Sequence, residues 1–207
     1  PERPDLIVDC GGHTALAQHA PTALRQGIDV LTVSLGALAD ADLAGRLEAA
    51  AKDGKATLHL CSGAIGGLDA LRAAAAGGLD HVTYTGRKPP QGWVGAPAEE
   101  RFNLLSLTTP TVHFQGTARQ AALAYPKNAN VAAAVALAGL GLDQTRVQLV
   151  ADPDVTENMH AVTAAGTFGH FTFQIAGTGL PENPRSSALA AMSVVAEIKR
   201  LSAAVRF

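Results

Sequence analysis

Thr57-Leu58-His59-Leu60-Cys61-Ser62-Gly63-Ala64-Ile65-Gly66-Gly67 is the stretch that decides the fold. A short apolar run breaks off into serine and glycine, and a helical pattern follows. The same order occurs twice upstream. Residues 6–10 (Leu-Ile-Val-Asp-Cys) end in Gly11 and Gly12, and the apolar run 29–34 ends beside Gly36 and Ala37. Helical stretches separate the runs, one over 14–26 stopped by Gly27 and one over 40–53 with Asp40 as N-cap and Gly54 as stop. Parallel neighbours need a crossover, so strands alternating with helices predict a parallel sheet. The strands are apolar without alternation, the pattern expected where helices cover both faces.

In open α/β sheets a ligand lies beyond the carboxyl ends of the strands. Small residues at all three ends let backbone amides approach a flat ligand. The Ser62-Gly63-Ala64 turn also opens a helix, whose free N–H groups suit a phosphate or a polarised amide. A tight turn explains any one of these glycines equally well, and only their coincidence argues for a ligand. The G-x-G-x-x-G fingerprint with its downstream acid does not occur. The chain therefore reads as entering a dinucleotide fold at about the fourth strand.

The pattern changes near Gly78. Strands are expected over 81–86, 111–116, 146–151, 158–164 and 169–176, the last two forming a hairpin at Gly166-Thr167-Phe168. Phe171, Phe173 and Ile175 share one face at period two. Helices are expected over 117–124, 130–140 and 186–204, and residues 87–97 read as a Pro/Gly-rich loop. The fold class is thus α/β: a partial Rossmann-type parallel sheet over 1–78, then an α+β catalytic and dimerisation domain over 79–185. A C-terminal helix over 186–207 is expected to pack back on the first domain. The second sheet is expected to turn an open face to the cleft and a helix-covered face outward, toward a homodimer partner.

Composition narrows the function. With 207 residues, 47% hydrophobic and 16% charged, the chain can fill a core and is not a disordered one. A net charge of -2 with both signs scattered leaves no basic stripe for nucleic acid. The longest apolar run, 131–142, is too short to cross a bilayer, and the polar opening residues are not a signal peptide. Two cysteines without metal-type spacing predict a reducing, cytoplasmic compartment.

From Ser62 to Leu71 the sequence resembles the L-aspartate dehydrogenase family. The resemblance continues through Tyr84-Thr85-Gly86-Arg87-Lys88-Pro89-Pro90 and Gly116-Thr117-Ala118-Arg119. It is most specific at Tyr125-Pro126-Lys127-Asn128-Ala129-Asn130, then at Ala151-Asp152-Pro153, Asn158-Met159-His160 and Asn183-Pro184-Arg185-Ser186-Ser187. The segments follow in family order over essentially the whole chain. The family's glycine-rich opening unit is not among them. The resemblance implies an NAD- or NADP-dependent oxidoreductase that converts L-aspartate to iminoaspartate. That product can feed nicotinamide-cofactor synthesis or hydrolyse to oxaloacetate and ammonia.

The resemblance makes His160 catalytic and gives Ala64 and Asn130 contacts to the nicotinamide. An amide side chain can pair with both donor and acceptor of a carboxamide. Oxidising an amine requires the neutral amine, so a histidine base titrating near 7 predicts a rate that rises with pH through its pKa. His170 is the local competitor, while His19, His59, His81 and His113 have ordinary structural explanations. Lys127 at a helix start opposes the dipole and points to an anionic partner, a substrate carboxylate; a solvated lysine is the other reading. Asn128 is either a helix cap or a substrate ligand. Arg185, at what reads as another helix start, can clamp the second carboxylate. Arg87 and Lys88 compete with it, unless Lys88-Pro89-Pro90 is a rigid connector. Cys10 and Cys61 end strands and read as inert thiols. Two alternatives stand beside this one. A homoserine-type dehydrogenase would replace His160 with a Lys/Asp pair, and a non-catalytic binding or oligomerisation module would account for the incomplete cofactor half.

Overall fold

The computed structural model describes residues 3–126 and 128–206, the side chains at 183–185 excepted. Its first sheet is parallel, with β1 (Leu6–Asp9), β2 (Asp29–Thr32) and β3 (Leu58–Leu60) in that spatial order. The crossovers are α1 (His13–Arg25) and α2 (Ala41–Gly54), which close a core of Leu16, Leu24, Val30, Leu43 and Leu47. Asp40 caps α2 as its sequence predicts, with Oδ1 accepting from the N–H groups of Asp42 and Leu43 at 3.0 and 3.1 Å. Gly54 is not the stop. It lies inside the last turn, where a Cβ would stand 1.8 Å from the Leu24 carbonyl oxygen, and Lys55 takes the left-handed cap at φ 54°. Glycine is needed there because α1 and α2 touch backbone to backbone. On β1, Ile7 and Val8 remain 38% and 37% exposed, so the expected cover on both faces is incomplete among the described residues.

After α3 (Leu68–Gly77) comes β4 (Leu79–Lys88), and β5 (Thr111–Thr117) leads into α4 (Ala118–Ala124) and α5 (Asn130–Ala138). β6 (Arg146–Ala151), β7 (Asn158–Gly166) and β8 (Gly169–Gly177) complete a mixed sheet in the order β5-β6-β4-β7-β8. Only β4 and β6 run parallel; the other neighbours are antiparallel, and the predicted β7–β8 hairpin is present. Thr117 and Gln120 form a capping box at the start of α4, each accepting from the other's backbone N–H. α5 is buried from Val131 to Ala136, as an apolar run without a polar stripe must be, and only Leu137 near its end is exposed. A short hairpin of β9 (Gly179–Leu180) and β10 (Asn183–Ser187) precedes α6 (Ala188–Ser202). That hairpin corrects one expectation, because Arg185 lies in β10 and not at a helix start.

Sheet parity corrects another. Tyr84, Val147, Val162 and Phe173 stand side by side on one face and pack with Leu71, Ala121 and Ala132 from α3, α4 and α5. Gly86, Lys88 and His160 share that parity. The helix-covered face therefore also carries the cleft residues, where an open face was expected. The opposite face presents Thr83, Thr85, Gln148, Thr163, Thr172 and Gln174. β4 also runs further than the sequence indicated. It continues through Arg87 and Lys88, and the following 89–107 segment contains three short 3-10 turns.

Candidate active site

A cavity of about 240 Å³ opens where the carboxyl end of β3 meets the inner face of the second sheet. Cys61, Ala64, Lys88, Asn128, Asn130 and His160 line it, with Ser187 at the start of α6. Four of the six expected site residues are thus brought together. Arg185 lies in β10, where its side chain is not described, and Lys127 lies outside the described residues.

One side of the cavity is built from small residues and one fixed amide. Ala64 is 8% exposed, and the backbone N–H of neighbouring Gly63 donates to Ser193 Oγ of α6 at 3.2 Å. Asn130 opens α5, and its Oδ1 accepts from the backbone N–H of Gly36 at 2.9 Å. A backbone N–H can only donate, so the amide orientation is fixed. His13 Nε2, 2.9 Å from the same oxygen, must then carry a proton. The Asn130 NH2 group remains to donate to a ligand oxygen. These residues fit the carboxamide end of a nicotinamide, which needs a flat slot beside a donor.

The other side carries two ionisable groups, a buried histidine and a half-buried lysine. His160 on β7 lies opposite Gly86 on β4, is 5% exposed, and makes a 2.7 Å hydrogen bond from Nδ1 to the Tyr84 hydroxyl. Burial, with the nearby charge of Lys88, lowers the imidazole pKa to about 4. The expectation of a histidine titrating near 7 is therefore corrected: His160 is neutral across the usual working range. Lys88 ends β4. Its Nζ donates to Asn128 Oδ1 at 2.9 Å and lies 5.0 Å from the centre of the Trp93 ring. Burial draws its pKa down to about 8. Among the described residues no carboxylate pairs with it. Arg87, the rival cation, is engaged by Asp152; burial raises that carboxyl, but Arg87 and the Asp154 N–H more than offset it and hold it low. Asn128 is no helix cap, since α5 begins at Asn130 with Ala129 before it. The Ser187 Oγ is sealed from solvent without a hydrogen-bond partner among the described residues.

Sequence reasoning undervalued Lys88 and missed Tyr84 and His13. The strand signal faded at Gly86, and the Lys-Pro-Pro run resembled a linker. Only the β4–β7 register, pairing Gly86 with His160, shows that both belong to the site. Cys61 also lines the cavity, and burial chiefly pushes its thiol up to about 11, which disfavours the thiolate.

A parallel sheet ending in a small-residue slot, joined to a mixed sheet carrying a buried histidine and lysine, is the plan of a two-domain nicotinamide-dependent dehydrogenase. Residues 69–201 match the family model described as "Aspartate dehydrogenase, C-terminal", and residues 1–60 match "Homoserine dehydrogenase, NAD binding domain". The L-aspartate dehydrogenase of Ruegeria pomeroyi is 61% identical over all of this chain and 75% of its own length. The crystal structure of aspartate dehydrogenase from Thermotoga maritima superposes with a TM-score of 0.81 at 27% identity, covering 98% of this chain and 78% of that one. A hyperthermophilic archaeal homoserine dehydrogenase in complex with NADPH shares the fold, with a TM-score of 0.57 at 13% identity over 95% of this chain and 70% of its own. The chain belongs to the aspartate dehydrogenase family. No helix among the described residues is long and apolar enough to cross a membrane.

Proposed function

We propose that the protein oxidises L-aspartate to iminoaspartate with NAD or NADP, in the cytoplasm. The observation that carries this reading is Lys88, a half-buried cation in the cavity with no carboxylate partner among the described residues. Burying an unpaired charge is costly, so the site calls for an anion. Aspartate brings two. Lys88 holds one carboxylate by a charge-assisted hydrogen bond. Arg185 and Lys127 are assigned to the substrate with it, and Asn128 steers the Lys88 ammonium. Ala64 and Asn130 hold the carboxamide end of the cofactor. When bound, the nicotinamide ring accepts the hydride that leaves Cα of the free amine. His160 touches the substrate at the reacting centre and is the catalytic residue.

The division of labour follows the chain apart from Asn130: residues 1–78 with Asn130 serve the cofactor, the rest of 79–185 the substrate, and 186–207 close the first part through Ser193. The uncovered Thr/Gln face of the second sheet is the surface assigned to a homodimer; a light-scattering mass of one chain at micromolar concentration would remove that assignment.

Reduced nicotinamide formed by the purified protein, followed by its absorbance, tests the activity. Turnover is expected with L-aspartate and far less with L-asparagine or L-homoserine, which lack the second carboxylate. Failure with L-aspartate, and in reverse with oxaloacetate and ammonia, overturns it.

A further inference from the structure

Tyr84 has no place in the reading so far, yet it is 1% exposed and its hydroxyl touches the catalytic ring. The two residues are 76 positions apart in sequence and meet only through the β4–β7 pairing. Tyr84 and Gly86 share a face of β4, and the phenol reaches along the strand, over Gly86, to the histidine opposite. Gly86 makes the passage possible: a Cβ there would stand 2.8 Å from the phenol oxygen. The rings lie nearly parallel, 18° apart with centroids 6.0 Å from each other.

We propose that Tyr84 is a positioning residue whose hydroxyl donates to Nδ1 and locks His160 in the tautomer that turns an Nε2–H, not a lone pair, toward the substrate. What that N–H meets rests on the aspartate reading above; which nitrogen holds the proton does not. A neutral imidazole carries one proton, on either nitrogen. If Nδ1 held it, Nδ1 would donate to the phenol oxygen, and the phenol's own proton would need another acceptor. Among the described residues the hydroxyl has no partner besides His160. An unpaired O–H in a sealed site is strongly disfavoured. Ionising the phenol is no escape, because burial holds it protonated well above its ordinary range. The arrangement left is Tyr84 O–H donating to Nδ1, with the proton on Nε2.

His160 then acts as a hydrogen-bond donor. It orients a substrate carboxylate oxygen, and with it the Cα–H bond, and does not accept the ammonium proton at Nε2. Gly86 is the second positioning residue, through the space it leaves for the phenol.

The test is 15N NMR of the full chain labelled in histidine, with His160 assigned by its absence in H160Q. The expected spectrum shows a protonated Nε2 and an unprotonated Nδ1; in Y84F the ring loses its bias and shifts toward a tautomer mixture, and G86A reproduces that shift. Kinetics supply an independent arm. Glutamine places an amide N–H near the Nε2 position, so H160Q should keep kcat within roughly tenfold of wild type while H160A loses far more. Y84F should lower kcat about tenfold with KM nearly unchanged, the size of one neutral hydrogen bond. A wild-type ring protonated at Nδ1, unchanged shifts in Y84F, or an H160Q as inactive as H160A would each overturn the assignment. If L-aspartate is not turned over at all, the spectra still decide the tautomer, and only the substrate reading falls.

Discussion

The two walls of the cavity are made by opposite means. On the cofactor wall, glycine, alanine and serine keep side chains out of the way, and the one functional amide is aimed by a backbone N–H. On the substrate wall, a buried histidine and a half-buried lysine sit on neighbouring strands and are tuned by what surrounds them. A flat, uncharged ring needs room and one or two fixed donors, whereas a small dianion needs charge that water has not already neutralised. Removing a group from the first wall should cost cofactor affinity, and from the second should cost turnover or substrate affinity while sparing the cofactor.

The sharpest break of that contrast is His160→Ala. It should lower kcat by about 10²–10³-fold, the worth of one positioned donor, while the dissociation constant of the nicotinamide cofactor barely moves. A matching loss in cofactor affinity would dissolve the distinction between the walls. Acid should come next in size. His160 and His113 are both buried, with pKa values lowered to about 4, by burial first and then by Lys88 and Arg101 respectively. The unfolded chain binds their protons near 6.5, the folded one not until about 4. Stability is therefore full above 6.5 and should fall as pH drops from there toward 4. The loss is on the order of 3 kcal/mol for each ring, measurable by denaturant unfolding across that window. The activity profile should show no step from His160 between pH 6 and 10; an ascending limb there belongs to the substrate ammonium.

Lys88→Met should raise KM for L-aspartate about 10–100-fold, the worth of a charge-assisted hydrogen bond, with less effect on cofactor binding. In the intact protein KM should climb above pH 8, as Lys88 loses its proton. The smallest effect belongs to the other wall. Ala64→Leu should weaken cofactor binding by roughly 1–3 kcal/mol through overpacking, read by calorimetry, with kcat at saturating cofactor little changed.

The same contrast decided what could be read from the sequence. The first sheet announced itself through three apolar runs ending in glycine, and the order of strands and helices was legible almost throughout. Ala64, Asn128, Asn130 and His160 were found and do line one cavity. What stayed hidden depends on register. Nothing near residue 84 says that a tyrosine will reach a histidine 76 positions on. Nothing in Lys-Pro-Pro says that the strand carries its lysine inward before the prolines end it. The direction of the second sheet was misjudged for a related reason. One parity was expected to serve the helices and the other the ligand, and here one parity serves both.

Asn130 has a consequence for motion. It belongs to α5, in the half of the chain that carries the substrate wall, yet its oxygen is held by Gly36 and His13 from the half that carries the cofactor wall. Swinging the halves apart would tear both hydrogen bonds and let the amide spin. Opening this cleft like a hinge therefore destroys the alignment that recognises the carboxamide. Ligands must enter and leave a jaw whose back stays shut.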